Sequence, residues 1–185
     1  MALPVSVLLA LVMLCSRIAC SLGCELPQSH DNPEIFTLLR QMGRLSILSC
    51  LKDRTDFRFP RTLVDGNQVE KTQAVAVAHE MLQQMFRLFS TRGSPSSWDE
   101  TLLIKFLSGL YQQLDDLEKC LREGKKVEQS PPGGENSILA VKTYFQGISL
   151  YLKEKEYSHC AWEVVRVETR KCLLFINNLV GKLKK

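Results

Sequence analysis

A chain of 185 residues, 45% hydrophobic and 24% charged, is long enough for one filled core and too apolar to remain disordered. Its net charge of +4, with acidic residues spread among the basic ones, does not call for nucleic acid as a partner. Beyond the first residues no segment is apolar enough to cross a bilayer, so membrane insertion is not expected.

The N-terminus reads as a targeting segment. Pro4 to Leu14 is an apolar run of signal-core length, and Ser21 and Gly23 are small residues ahead of a cleavage site. The expected cut after Gly23 makes residues 1–23 a signal peptide and 24–185 a secreted, extracellular domain with net charge +3, since Arg17 leaves with the signal. A lipoprotein signal would also end before a cysteine, but Ser21-Leu22-Gly23-Cys24 has its large apolar residue one place out. Of seven cysteines, Cys24, Cys50, Cys120, Cys160 and Cys172 remain. In an oxidising compartment they imply two disulfides and one spare thiol, in pairings that spacing alone leaves open.

Asn32-Pro33-Glu34 is a helix start, and an apolar stripe of Phe36, Leu39, Met42 and Leu45 predicts a first helix from Pro33 to Ser49. Leu51 to Asn67 lacks a period and reads as a long loop. Val75, Ala78, Leu82, Met85, Phe86 and Phe89 share one side of a second helix, Val69 to Ser90. Ser97 and Glu100 fit a capping box for a third, which runs to about Leu121 on Leu103, Phe106, Leu107, Leu110, Leu114 and Leu117. Glu123 to Glu135, with Pro131-Pro132-Gly133-Gly134, reads as a linker, and Asn136 or Ser137 as the cap of a fourth helix. That helix carries Val141, Phe145, Ile148 and Leu152. After Tyr157-Ser158-His159 a fifth buries Trp162, Val165, Cys172, Ile176 and Leu179, with Glu163, Arg166, Arg170 and Lys171 largely on other faces. The domain is therefore expected to be all-α. Its first linker, about 18 residues and roughly 50 Å if extended, is long enough to run the length of a bundle, as up-up-down-down topologies require.

No catalytic constellation emerges. His79-Glu80-Met81-Leu82-Gln83 begins like a zinc-protease helix but has glutamine where the second ligand belongs. No nucleophile elbow or phosphate-binding glycine loop is present, and Cys172 on an apolar helix face reads as a buried free thiol. Lys182, Lys184 and Lys185 read as a solvated helix end. The chain is not expected to be an enzyme or to need a cofactor or metal. A buried face, a basic face and a crosslinkable cysteine at the head of the last helix suggest a surface built for binding.

CELPQ from Cys24, CLKDRTDFRFP from Cys50, HEMLQQMFRLFS from His79, SSWDETLL from Ser96, LYQQLDDLEKC ending at Cys120 and YFQGISLYLKEKEYSHCAWEVVRVE from Tyr144 together resemble type I interferons, in an alpha/omega-like branch. The resemblance covers nearly the whole mature chain. It implies a five-helix cytokine bundle with up-up-down-down topology and long crossover loops, disulfides Cys24–Cys120 and Cys50–Cys160, and a free Cys172.

It also implies a monomer that bridges two different receptor chains and starts JAK-STAT signalling, leading to an antiviral, antiproliferative state. The tighter site would use the loop positions Leu51 and Arg54 with Arg166 on the last helix, none of them expected in the core, and Val167, Arg170 and Lys171 at its far end. The weaker site would use Phe86, Arg87, Leu102, Tyr111 and Lys142, with Leu107 standing where many members carry an aromatic ring. A weakened second face would instead make the chain a binding-only antagonist or decoy.

Overall fold

A run of α-helices separated by breaker-rich connections must bury one stripe from each helix, and the computed structural model shows how. It describes residues 33–60, 63, 71–91, 98–124 and 134–182. Among these are five α-helices: α1 (Pro33–Gln41), α2 (Lys71–Phe89), α3 (Glu100–Gly124), α4 (Gly134–Glu154) and α5 (His159–Lys182). A 3-10 helix spans Ile47–Asp53.

Four helices form a ring. α1 packs on α3 and α5, and α2 packs on the same two, so α1 and α2 sit at opposite corners, as do α3 and α5. Directions follow from the contacts. Phe89 meets Phe106 and Phe86 meets Tyr111, which runs α3 antiparallel to α2. The end of α2 meets the start of α5 at Phe89–Trp162, and Arg166 near the start of α5 reaches Leu39 near the end of α1. α1 and α2 therefore point up, α3 and α5 down, and the two upward helices are joined by the long first connection. α4 packs outside the ring against α2 and α5.

The core fills from the expected stripes. Val75, Ala78, Leu82, Met85, Phe106, Leu110, Leu117, Val141, Phe145, Ile148, Trp162, Val165, Cys172 and Ile176 are buried. Phe89 lies at an aromatic junction, with ring centroids 5.1 Å from Phe106, 5.7 Å from Trp162 and 6.4 Å from Trp98. Leu107 and Leu114 are only half-buried at the edge of this core.

The structure corrects several boundaries. The first helix stops at Gln41, not Ser49: Gly43 and Ser46 interrupt it, and the Ser46 side chain accepts from Leu48 N to start the 3-10 helix. Leu45 is accordingly exposed instead of extending the core stripe, and the expected loop after Cys50 begins as helix. α3 is capped by Asp99, whose Oδ1 accepts from Leu102 N at 3.1 Å; Ser97 lies outside the described residues. α4 starts at Gly134, so neither Asn136 nor Ser137 is its cap, and Ser137 Oγ accepts from Gln73 on α2. The expected signal peptide, the Asn32 cap and Cys24 also fall outside the described residues.

Candidate functional site

The α1–α2 connection is fastened to the α4–α5 hairpin by residues a hundred positions away. Cys50 is disulfide-bonded to Cys160, with Cα atoms 5.1 Å apart. The segment kinks at Cys50 and ends in extended Arg54; along it Ile47, Cys50 and Asp53 turn toward the molecule, while Leu48, Leu51 and Arg54 are exposed. In the first set Cys50 is buried, and Asp53 takes the Tyr151 hydroxyl on its carbonyl and Lys155 on its carboxylate. Further on, Phe57 packs edge-on against Tyr151, and Phe59 against Tyr144 and Phe175. The second set is left in solvent, with Leu48 at 72% and Leu51 at 52% exposure. Apolar side chains held outward beside an exposed arginine form an exposed ridge of the composition common at protein interfaces.

The base of the ridge is polar and buried. Glu163 accepts from Arg44 N at 3.2 Å through Oε1 and from Arg166 Nε at 2.9 Å through Oε2. Arg166 also donates from Nη1 to the Leu39 carbonyl at 3.2 Å. Its guanidinium occupies the space above Gly43, where an added Cβ would lie 2.8 Å from Cζ. Glu163 is therefore not on the polar face assigned to it from the sequence. It is buried, and Arg166 keeps only 14% of its side chain exposed.

Of the residues assigned to the tighter site, Leu51, Arg54, Arg170 and Lys171 are exposed, Val167 is half-buried and Arg166 is turned inward. Lys171 pairs with the buried Glu168 at 2.6 Å, and Glu168 also accepts from the Tyr144 hydroxyl at 2.8 Å. Arg54 forms no salt bridge with Asp53 or Asp56: Asp53 pairs with Lys155 and Asp56 accepts from Arg58 N.

On the outer side of α2 and α3 the structure brings Phe86 and Tyr111 together at 6.4 Å, with Tyr111 63% exposed. Arg87 is exposed nearby on α2, Leu102 and Leu107 are half-buried against the core, and Lys142 is exposed on α4. α3 sits across the ring from α5, so this face points away from the ridge. Sequence reasoning missed Leu48 and Ile104, the latter 59% exposed on α3. The three-residue spacing of Leu45, Leu48 and Leu51 was the available signal for the first.

Nothing here is arranged for bond-making chemistry. The free thiol of Cys172 is buried, and burial pushes it up to about 12, so it is neutral at physiological pH. Among the described residues no cluster of His, Cys, Asp and Glu could hold a metal. Cys120 is disulfide-bonded; its partner lies outside the described residues.

The sequence pattern of the interferon alpha/beta domain matches residues 25–183. The chain belongs to the interferon alpha/beta family. It is 54% identical to interferon alpha-2 of Equus caballus over 97% of this chain and 98% of that protein. It is 54% identical to interferon alpha-14 of Homo sapiens over 100% and 99% respectively. Its backbone resembles the solved structure of zebrafish interferon 2, with a TM-score of 0.72, 24% identity, and coverage of 83% of this chain and 99% of that one. This type I interferon is thus a helical cytokine and not an enzyme, and no helix among its described residues is long and apolar enough to cross a membrane.

Proposed function

We propose that this interferon is secreted after cleavage behind Gly23 and, as a monomer closed by Cys24–Cys120 and Cys50–Cys160, bridges the two chains of the type I interferon receptor to trigger JAK-STAT signalling. The observation that carries this reading is a pair of exposed faces on opposite corners of one ring. The ridge of Leu48, Leu51 and Arg54, stapled to the head of α5, together with Val167, Arg170 and Lys171 further along that helix, is the tighter face. Phe86, Arg87, Leu102, Leu107 and Tyr111, together with exposed Lys142 on α4, form the weaker one. A leucine and an arginine on a fixed backbone fit hot-spot chemistry, because little freedom is lost on binding.

The test is an antiviral reporter assay on cells of the source species, with binding to each receptor ectodomain measured alongside. The protein is expected to protect cells and phosphorylate STAT, while Leu51→Ala and Arg54→Ala each weaken the tighter complex by roughly tenfold or more without loss of helicity. Binding without signalling would make it an antagonist. No binding to either chain would end the proposal.

A further inference from the structure

Arg166 faces the right part of the molecule for docking but spends its hydrogen bonds inside it. Nε goes to Glu163, Nη1 to the Leu39 carbonyl, and the guanidinium fills the space left open by Gly43. Glu163 takes the Arg44 amide on its other oxygen. Two side chains of α5 thus hold the last turn of α1 and the first residue past Gly43, which is where the chain leaves α1 for the ridge. Downstream the connection is held firmly again at Cys50, with only Ile47 half-buried against the core on the way. Leu45 and Leu48 lie between these two anchors and are exposed, so they have little packing of their own to fix them.

We infer that Glu163 and Arg166 are positioning residues that clamp the upstream end of the docking ridge through the gap at Gly43, and that Arg166 acts on receptor binding from inside the fold, not as a contact. The inference deepens the proposed tighter site and rests on it. Glu163 is buried but fully matched: two donors converge on its carboxylate, and the arginine supplies the counter-charge at 2.9 Å. Gly43 is the third element, because any Cβ there would displace the guanidinium. The displacement opens the clamp and also costs stability, because it takes the counter-charge away from a buried carboxylate.

Two variants of the secreted protein test this. Glu163→Gln keeps the volume but replaces one acceptor by a donor, so it satisfies only one of the two N–H groups. Gly43→Ala expels Arg166 outward with Glu163 intact, and it decides the matter if Glu163→Gln does not fold. In both, amide hydrogen exchange at Arg44 is expected to rise about tenfold. Dissociation from the tighter receptor ectodomain should become about five to ten times faster. On a Leu51→Ala background that added loss should largely vanish, because positioning has no effect on a ridge already blunted. Unchanged exchange at Arg44 in both variants overturns the clamp. Binding as tight as the parent in Gly43→Ala, together with weaker binding in Arg166→Ala, makes Arg166 a direct contact and overturns the positioning role. If the unmodified protein binds neither receptor chain, the docking reading itself fails; faster exchange at Arg44 then still supports the clamp, and unchanged exchange removes it.

Discussion

The Tyr151 hydroxyl donates to the Asp53 carbonyl at 2.7 Å across 98 residues of sequence, while Lys155, one turn on, meets the Asp53 carboxylate at 3.1 Å. The two bonds differ in weight. Lys155 is 41% exposed and its pairing is worth little, whereas Tyr151 is a mostly buried residue and its hydrogen bond is the weightier of the two. Tyr151→Phe keeps the edge contact with Phe57 and removes only the hydrogen bond. It is expected to cost about 1 kcal/mol in urea unfolding, with faster amide exchange over residues 51–58 and no change within α2. A variant as stable as the parent would mean that the hydroxyl does not hold the loop.

α4 ends against the preferences of its own residues. Tyr157 N donates to the Leu152 carbonyl and Glu156 N to that of Lys153, the paired bonds of a Schellman close, with Glu156 at φ 50° and Tyr157 at φ 54°. Both side chains sit in the left-handed region that glycine occupies without strain. Ser158 then caps α5 through Ala161 N, so the turn cannot relax by lengthening. Glu156→Gly is expected to stabilise the domain by about 0.5–1 kcal/mol and raise its melting temperature by a few degrees. Calorimetry showing a lower melting temperature would show that the glutamate has compensating contacts.

Cys172 provides a pH test. In the fold burial holds its thiol neutral up to about 12, against an ordinary value near 9. Between these values the unfolded chain has lost the proton and the folded one has kept it. The stabilisation is therefore complete below pH 9 and drains away as pH rises toward 12, at up to about 1.4 kcal/mol per pH unit. Tyr144, also pushed upward by burial, adds to the decline above about pH 10. Cys172→Ala should be less stable at pH 7 but show a shallower alkaline decline; equal slopes would mean that the thiol titrates normally. Peptide mapping without reduction should recover Cys50–Cys160 and Cys24–Cys120, with Cys172 alkylated only after unfolding.

The helices were legible where apolar spacing and burial coincide, as along α2 and α3, where a 3.6-residue stripe leaves few alternatives. Leu45 shows the limit. It continues the spacing of Leu39 and Met42, but Gly43 ends α1 first, and the same leucine then stands in solvent. Glu163 shows a second limit. Between Trp162 and Val164 it looks like a polar break, and its burial depends on an Arg44 amide 119 residues away. Tertiary hydrogen bonds leave no periodic trace. The resemblance implied Leu51, Arg54 and Arg166 as docking positions outside the core; Leu51 and Arg54 are exposed as expected, but Arg166 turns in, held by hydrogen bonds that no sequence spacing signals.

In the proposed bridging mode the second face decides signalling, and Tyr111 is its most telling position. The ring leans on Phe86 at 6.4 Å but is 63% exposed, so little of it is buried for the fold to lose. Tyr111→Ala is therefore expected to change stability by no more than about 0.5 kcal/mol and to leave the tighter receptor complex intact. STAT phosphorylation should nonetheless fall strongly, because the weaker contact forms only at the high effective concentration created once the tighter chain is bound. Leu107→Tyr probes the same face from the other side. Leu107 is half-buried, so a larger ring must lie partly over the core edge, at a cost of about 1–2 kcal/mol in stability. Signalling should still rise, measured well below the melting temperature, while tighter-site affinity stays constant. If Tyr111→Ala instead lowers the melting temperature and weakens both receptor contacts in proportion, the residue supports the fold and the weaker face lies elsewhere.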